Sequence, residues 1–231
     1  WLGAVILITV FAGNVLKREW GKLQPHLPRL FLMGMFGFAV FNALFYVAAY
    51  STTALNLGII QGAIPVYVLI GGYLVYRSQV SLLQIIGVMV TIIGVVVVAS
   101  AGQLQRFASL TINQGDYFMI VACILFAGYA LNLRRFSGVA PLGLFAVVAG
   151  AALVSSIPIS FVEYTMGNLQ WPTPRGWVIV GLITLLPSFL AQICFIQGVA
   201  DIGPARAGIF VNLVPVFASI LAVTVLRENF Q

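Results

Sequence analysis

Apolar residues run down this chain in long unbroken stretches. They do not alternate as in a half-buried strand, nor form the narrow stripe of a surface helix. Eight such stretches stand out, at 1–16, 30–50, 56–76, 82–101, 116–133, 142–162, 177–199 and 207–226. About 20 apolar residues carry a helix across the hydrocarbon core of a bilayer. The pattern therefore predicts an all-α, polytopic membrane helix bundle with about eight transmembrane helices in this chain. The absence of alternating segments speaks against a membrane β-barrel. Polar residues collect in the connectors: a basic loop at 17–29, tight turns at 51–55 and 77–79, and further links at 134–141, 163–176 and 200–206. The longest polar link, 102–115, divides the chain into halves 1–107 and 108–231.

Composition sharpens this picture. Of 231 residues, 61% are hydrophobic and only 7% charged, and the mean hydropathy is +1.09. A soluble domain carries roughly 25% charged residues, so a soluble globular protein and a nucleic-acid binder are both excluded. The net charge of +6 records orientation instead. Lys17, Arg18, Lys22, Arg29, Arg77, Arg134, Arg135 and Arg206 fall on one side of the predicted topology, and Arg106, Arg175 and Arg227 on the other. The first side is expected to face the cytoplasm. The chain opens on Trp1 inside an apolar run and stops at Gln231 just past another, so it is expected to be a fragment of a longer protein, with one further helix at each end.

The chain also repeats. Shifted by 150 residues without gaps, Phe45, Gly58, Ile59, Pro65, Val66, Ile70, Val75 and Arg77 meet identical residues at 195, 208, 209, 215, 216, 220, 225 and 227. Segment 56–76 is predicted to run inward and its mate 207–226 outward, so the halves are expected to be two inverted structural repeats. Such repeats belong to secondary transporters, with the solute site at the midplane.

The residues that carry this repeat resemble a known family. The run Asn56-Leu57-Gly58, Ile64-Pro65-Val66-Tyr67, Arg77, Leu82, Gly87 and Gly94-Val95 is similar to the signature of the EamA-type drug/metabolite transporters. So is Gly203-Pro204-Ala205-Arg206-Ala207-Gly208 with Val214-Pro215-Val216-Phe217 and Leu226-Arg227-Glu228. Gly115-Asp116, opening an apolar segment that ends at Arg134-Arg135, resembles the start of that family's second repeat. The resemblance implies ten helices in two five-helix inverted repeats, of which this chain holds helices two to nine. It departs from the family at Ser78, where a glutamate often follows helix four.

Intramembrane polar groups are costly and point to function. Asn42 and Gln192 are mates under the 150-residue shift. Gln61 and Asn212 sit about one turn before Pro65 and Pro215. These four carboxamides, with Tyr46 and Tyr67, are the expected substrate-binding residues in a shared central cavity. For each carboxamide the bland alternative is an interhelical hydrogen bond, worth about 0.6 kcal/mol. Pro65 and Pro215 are expected to kink their helices, either to shape the cavity or merely to pack. Tyr50 fits the interfacial belt.

Catalysis finds little support. His26 lies in a loop, Cys123 and Cys194 lie in apolar runs without metal-ligand spacing, and no phosphate-binding glycine loop exists. No metal, cofactor or enzymatic activity is expected. The expected function is secondary transport of small metabolites, amino-acid-like or drug-like, outward across the bacterial inner membrane by alternating access. A non-transporting membrane subunit or assembly factor is the alternative. Partners are the solute and the lipid bilayer. None of the five acids falls at a segment midplane, so transport down the solute gradient or by exchange is expected.

Overall fold

The computed structural model describes residues 1–99, 113–167, 171–214 and 217. Helices α1 (Leu2–Phe11), α2 (Gly13–Leu23), α3 (Leu27–Gly34), α4 (Phe41–Ser51), α5 (Ala54–Gly62), α6 (Ile64–Tyr76), α7 (Leu82–Ala99), α8 (Gln114–Leu133), α9 (Pro141–Thr165), α10 (Pro174–Leu185), α11 (Ala191–Ile202) and α12 (Pro204–Val211) follow in order. Among the described residues there is no strand. Five continuous helical stretches are long and apolar enough to cross a membrane: Gly13–Ser51, Asn56–Tyr76, Gln114–Phe136, Pro141–Thr165 and Pro174–Ile202. Leu2–Phe11 and Leu82–Val97 are apolar but shorter. The protein is an all-α, multi-pass membrane bundle.

The basic loop expected at 17–29 is instead helical. Glu19 and Leu23 on α2 are buried, while Arg18 and Lys22 stay exposed and both donate to the Glu19 carboxylate, at 3.3 and 2.8 Å. A 3-10 turn at Gln24–His26 then leads into α3. Pro25 and Pro28 each fall in the first turn of their element, where a missing N–H costs nothing. His26 sits edge-on to the Phe136 ring with centroids 5.6 Å apart. Two membrane-crossing stretches each contain a π-helical segment: Met35–Val40 between α3 and α4, and Leu186–Leu190 between α10 and α11.

Two compact units emerge, each drawn from both halves of the sequence. The first comprises Trp1–Ala43 and Asn132–Gly203; the second comprises Leu44–Leu131 and Pro204–Gln231. In the first unit α9 is the central helix, packed by α1, α2, α3, α11 and the Met35–Val40 segment. Small residues allow close approach, as is usual between membrane helices. A Cβ on Gly34 would stand 2.3 Å from the Val148 carbonyl oxygen and 2.7 Å from Ala151 Cβ. Phe145, fully buried on α9, meets Phe38 of the first π segment at 6.2 Å and Phe189 of the second at 5.9 Å. One ring thus braces both irregular segments.

In the second unit α5 packs on α7 and α12 on α6. The run of exposed apolar side chains along α7, from Leu82 and Leu83 through Ile86, Val90 and Ile93, suits a lipid solvent, where apolar exposure costs nothing.

Candidate functional site

The second unit contains a pair of interrupted helices. Residue 56–76, read from sequence as one segment, breaks at Ala63. There the Ala63 N–H turns to the Ile60 carbonyl, and the Val66 N–H to the Ala63 carbonyl. Pro65 explains the break. It has no N–H to offer the Gln61 carbonyl, and its ring disfavours helical geometry just ahead of it. The expected kink is therefore a break, with Pro65 in the first turn of a new helix. The mate behaves alike: α12 stops at Val211, and Asn212 and Leu213 form a turn, just ahead of Pro215. Pro215 itself lies outside the described residues. The two interruptions, at 62–63 and 212–213, are related by the same 150-residue offset.

These two interruptions meet. Asn212 Nδ2 donates to the Gly62 carbonyl oxygen at 3.0 Å, a buried bond between positions 150 residues apart. Because the Val66 N–H turns to Ala63, the Gly62 carbonyl has no backbone donor across the break, and the Asn212 amide supplies one. Asn212 is 6% exposed, and its Oδ1 has no hydrogen-bond partner. Beside this bond lies a cavity of about 40 Å3 lined by Gly58, Gln61, Gly62, Val95, Val211, Asn212 and Val214. That volume admits a few water-sized groups and not a whole metabolite. The Gln61 side chain is half-buried on the same wall.

The remaining predicted residues lie elsewhere. Asn42 and Gln192 belong to the first unit, while Gln61, Asn212, Tyr46 and Tyr67 belong to the second. Of the six, the structure brings Gln61 and Asn212 to one cavity. Asn42 Nδ2 donates to the Phe38 carbonyl of its own helix, 2.8 Å away. Gln192 Oε1 is buried and without a partner. Both follow a π segment by two residues, and the shared offset maps 36–40 onto 186–190. Mid-helix π turns are frequent at functional sites because the inserted residue disturbs the hydrogen-bond ladder. Tyr46 is 62% exposed and lies edge-on to Phe45. Tyr67 is half-buried on α6.

A second polar cluster in this unit was not foreseen. Asp116 lies in the first turn of α8, at the segment end where the sequence puts it, and is only 5% exposed. Asn113 and Asp116 form a reciprocal capping box: the Asn113 N–H donates to Asp116 Oδ2 at 3.0 Å, and the Asp116 N–H to Asn113 Oδ1 at 3.2 Å. Asn56 Nδ2 reaches both carboxylate oxygens, at 3.1 and 3.0 Å, and Thr52 Oγ1 donates to Oδ1. The carboxylate thereby fastens the start of α8 to the turn between α4 and α5. Gly115 permits the approach, since a Cβ there would lie 2.7 Å from the Ala48 carbonyl oxygen. The signal lay in the sequence as Asn113-x-x-Asp116, a helix-start pattern. Among the described residues no group of His, Cys, Asp and Glu is assembled to hold a metal.

Comparison with known proteins places this architecture. The chain matches the profile of the EamA-like transporter family over residues 1–100 and 113–231. It is 26% identical over 230 residues to the uncharacterized transporter YyaM of Bacillus subtilis, an alignment covering 96% of this chain and 72% of that protein. An uncharacterized transporter of Archaeoglobus fulgidus is 26% identical over 226 residues, covering 97% of this chain and 76% of its own length. One solved crystal structure superposes with a TM-score of 0.73 over 98% of this chain and 75% of that one, at 15% identity, a likeness of fold. A helical, multi-pass bundle matched along nearly its whole length by this profile is a member of the EamA-like transporter family.

Proposed function

We propose that this protein is a secondary transporter that moves small metabolites across the membrane by alternating access, in the direction of efflux. The observation that carries this reading is the pair of interrupted helices, 62–63 and 212–213, meeting beside a small cavity that holds two carboxamides in a largely apolar wall. Discontinuous helices related by an internal repeat are how secondary transporters expose backbone polar groups to a solute inside the bilayer. Asn42 and Gln192, each just beyond a π segment of the first unit, are proposed to bind solute as well. The division into two compact units, each assembled from both halves of the chain, supports a mechanism based on relative motion of two bodies. The carrier acts without a cofactor and without catalysis, in the inner membrane of a bacterium.

Asp116 does not read as a proton relay. Its carboxylate accepts hydrogen bonds from Asn113, Thr52 and Asn56 and sits at a helix N-terminus, all of which favour the anion. Transport is therefore proposed to run down the solute gradient or by exchange. The test is uptake into proteoliposomes against a panel of amino acids, sugars and drug-like solutes. At least one solute should be carried, and Asn42→Leu and Gln192→Leu should slow its uptake while leaving expression and monodispersity intact. A panel without any carried solute, or full activity in both variants, overturns the reading.

A further inference from the structure

We infer that the cavity at the helix interruption is a subsite for an uncharged hydrogen-bond donor, the amide N–H or hydroxyl of a solute's head group. This inference rests on the carrier reading above and names the chemistry which that site accepts.

The argument starts from the orientation of one amide. A carboxamide has a donor end and an acceptor end, and a structure alone distinguishes them poorly. Here the partner decides. The Gly62 carbonyl can only accept, so the end 3.0 Å from it must be Nδ2. Rotating the amide would set two oxygens against each other and leave the carbonyl unpaired. Asn212 Oδ1 is therefore committed to the other side, where it is buried and unpartnered. A buried acceptor left empty costs about 1–3 kcal/mol, and the group that relieves it must donate.

The lining sets the charge and size of that group. Among the described residues the wall carries Gln61 and Asn212 as its side-chain polar groups, with Val95, Val211 and Val214 as apolar ones, and no carboxylate. A buried ammonium would have no counter-charge there, and uncompensated buried charge is far costlier than an unpaired dipole. A neutral N–H or O–H is compatible. At about 40 Å3 the cavity admits the end of a molecule, not its body. Gln61, which makes no side-chain hydrogen bond among the described residues, supplies a second carboxamide that can turn to accept or donate.

The test uses two small probes that differ in donors. Saturation-transfer NMR is recorded on the purified protein in detergent with acetamide, which has two N–H donors, and with N,N-dimethylacetamide, which has none. Acetamide should give a saturable signal that ammonium chloride does not compete away, and N,N-dimethylacetamide should bind roughly five- to tenfold more weakly, the factor expected for one neutral hydrogen bond. Asn212→Leu should abolish the preference. Because that variant also strips the Gly62 carbonyl of its donor and can misfold, Gln61→Leu is the second variant. It orphans no described partner, and it should weaken acetamide binding severalfold with an unchanged elution profile. Equal binding of the two probes, competition by ammonium, undiminished acetamide binding in Gln61→Leu, or an undiminished preference in a folded Asn212→Leu overturns the subsite. If the uptake panel fails while acetamide still binds through Asn212, the carrier reading falls and the subsite stands. If solutes are carried without preference for donors, the subsite alone falls.

Discussion

Replacing Gly34 by alanine tests the packing that holds the first π segment in place. Gly34 ends α3 against α9, and the added Cβ would lie 2.3 Å from Val148 O, 2.7 Å from Ala151 Cβ and 3.0 Å from Ala152 N. Carbon contacts settle at about 3.5–4.0 Å, so the two helices must separate by roughly 1 Å. Two of the three atoms are backbone of the central helix and cannot swing aside. Overpacking of this kind costs about 1–3 kcal/mol, against a gain of at most about 1 kcal/mol from alanine's helix propensity. Gly150 supplies the control. It lies on α9 with nothing within 4 Å of an added Cβ, so Gly150→Ala keeps the propensity gain alone. The propensity gain cancels, so the two variants should differ by the overpacking cost of about 1–3 kcal/mol, or roughly 2–12 °C in midpoint for a chain of this size. All four tryptophans, Trp1, Trp20, Trp171 and Trp177, belong to the unit that contains Gly34. Intrinsic fluorescence during a melt at one fixed scan rate therefore reports on that unit directly. A Gly34→Ala midpoint at or above that of the unmodified protein, or equal to that of Gly150→Ala, refutes the reasoning.

Further outcomes follow from the rest of the molecule. Asp116→Ala should lower the midpoint more than Thr52→Ala in a melt followed by far-ultraviolet circular dichroism, because it removes the acceptor shared by the Asn56 amide, the Thr52 hydroxyl and the Asn113 N–H, a loss of about 1–3 kcal/mol; equal shifts would deny the carboxylate its central place in the cluster. With Cys123 and Cys194 removed, an impermeant thiol reagent on whole cells should label Met166→Cys and spare Gln24→Cys; the reverse pattern would invert the proposed orientation. In solute-loaded vesicles, counterflow should persist without a pH gradient. Accumulation against the solute's own gradient, abolished by a protonophore, would contradict transport by exchange or downhill flux.

Much of the fold was legible because a bilayer demands long apolar runs, and these locate helices with little help from propensity. The exceptions have physical causes. The density of Lys17, Arg18, Glu19 and Lys22 reads as a loop, yet α2 keeps Glu19 and Leu23 buried and turns its cations outward. The π segments leave no composition signal, since an inserted residue changes the hydrogen-bond ladder and not the hydropathy. Depth in the segments and the repeat single out Gln61 and Asn212 but do not show how the two meet. Each precedes a proline by about a turn, which makes them look like equivalents. The offset actually sets Asn212 opposite Gly62 and Gln61 opposite Val211, and that mismatch creates the hydrogen bond.

The repeat thus preserves backbone irregularities while letting side chains diverge. Both copies of the interrupted helix break at matching positions, and both π segments fall at matching positions. A π turn or a break is set by backbone hydrogen bonding over several residues, so it survives many substitutions. The side chains at the break are free to differ, and here they must. Position 62 is glycine, so it leaves its carbonyl open to approach, and a Cβ there would come within 2.9 Å of Val95. Position 212 carries an amide long enough to reach that carbonyl. Two asparagines, or two glycines, would lose the bond through crowding or through lack of a donor. The result is a cavity with a direction: its one fixed amide presents an acceptor from the 212 side and nothing equivalent from the 62 side. In the proposed subsite, such polarity would orient a solute that has a distinct head and tail, which a perfectly symmetric pair of repeats would not do.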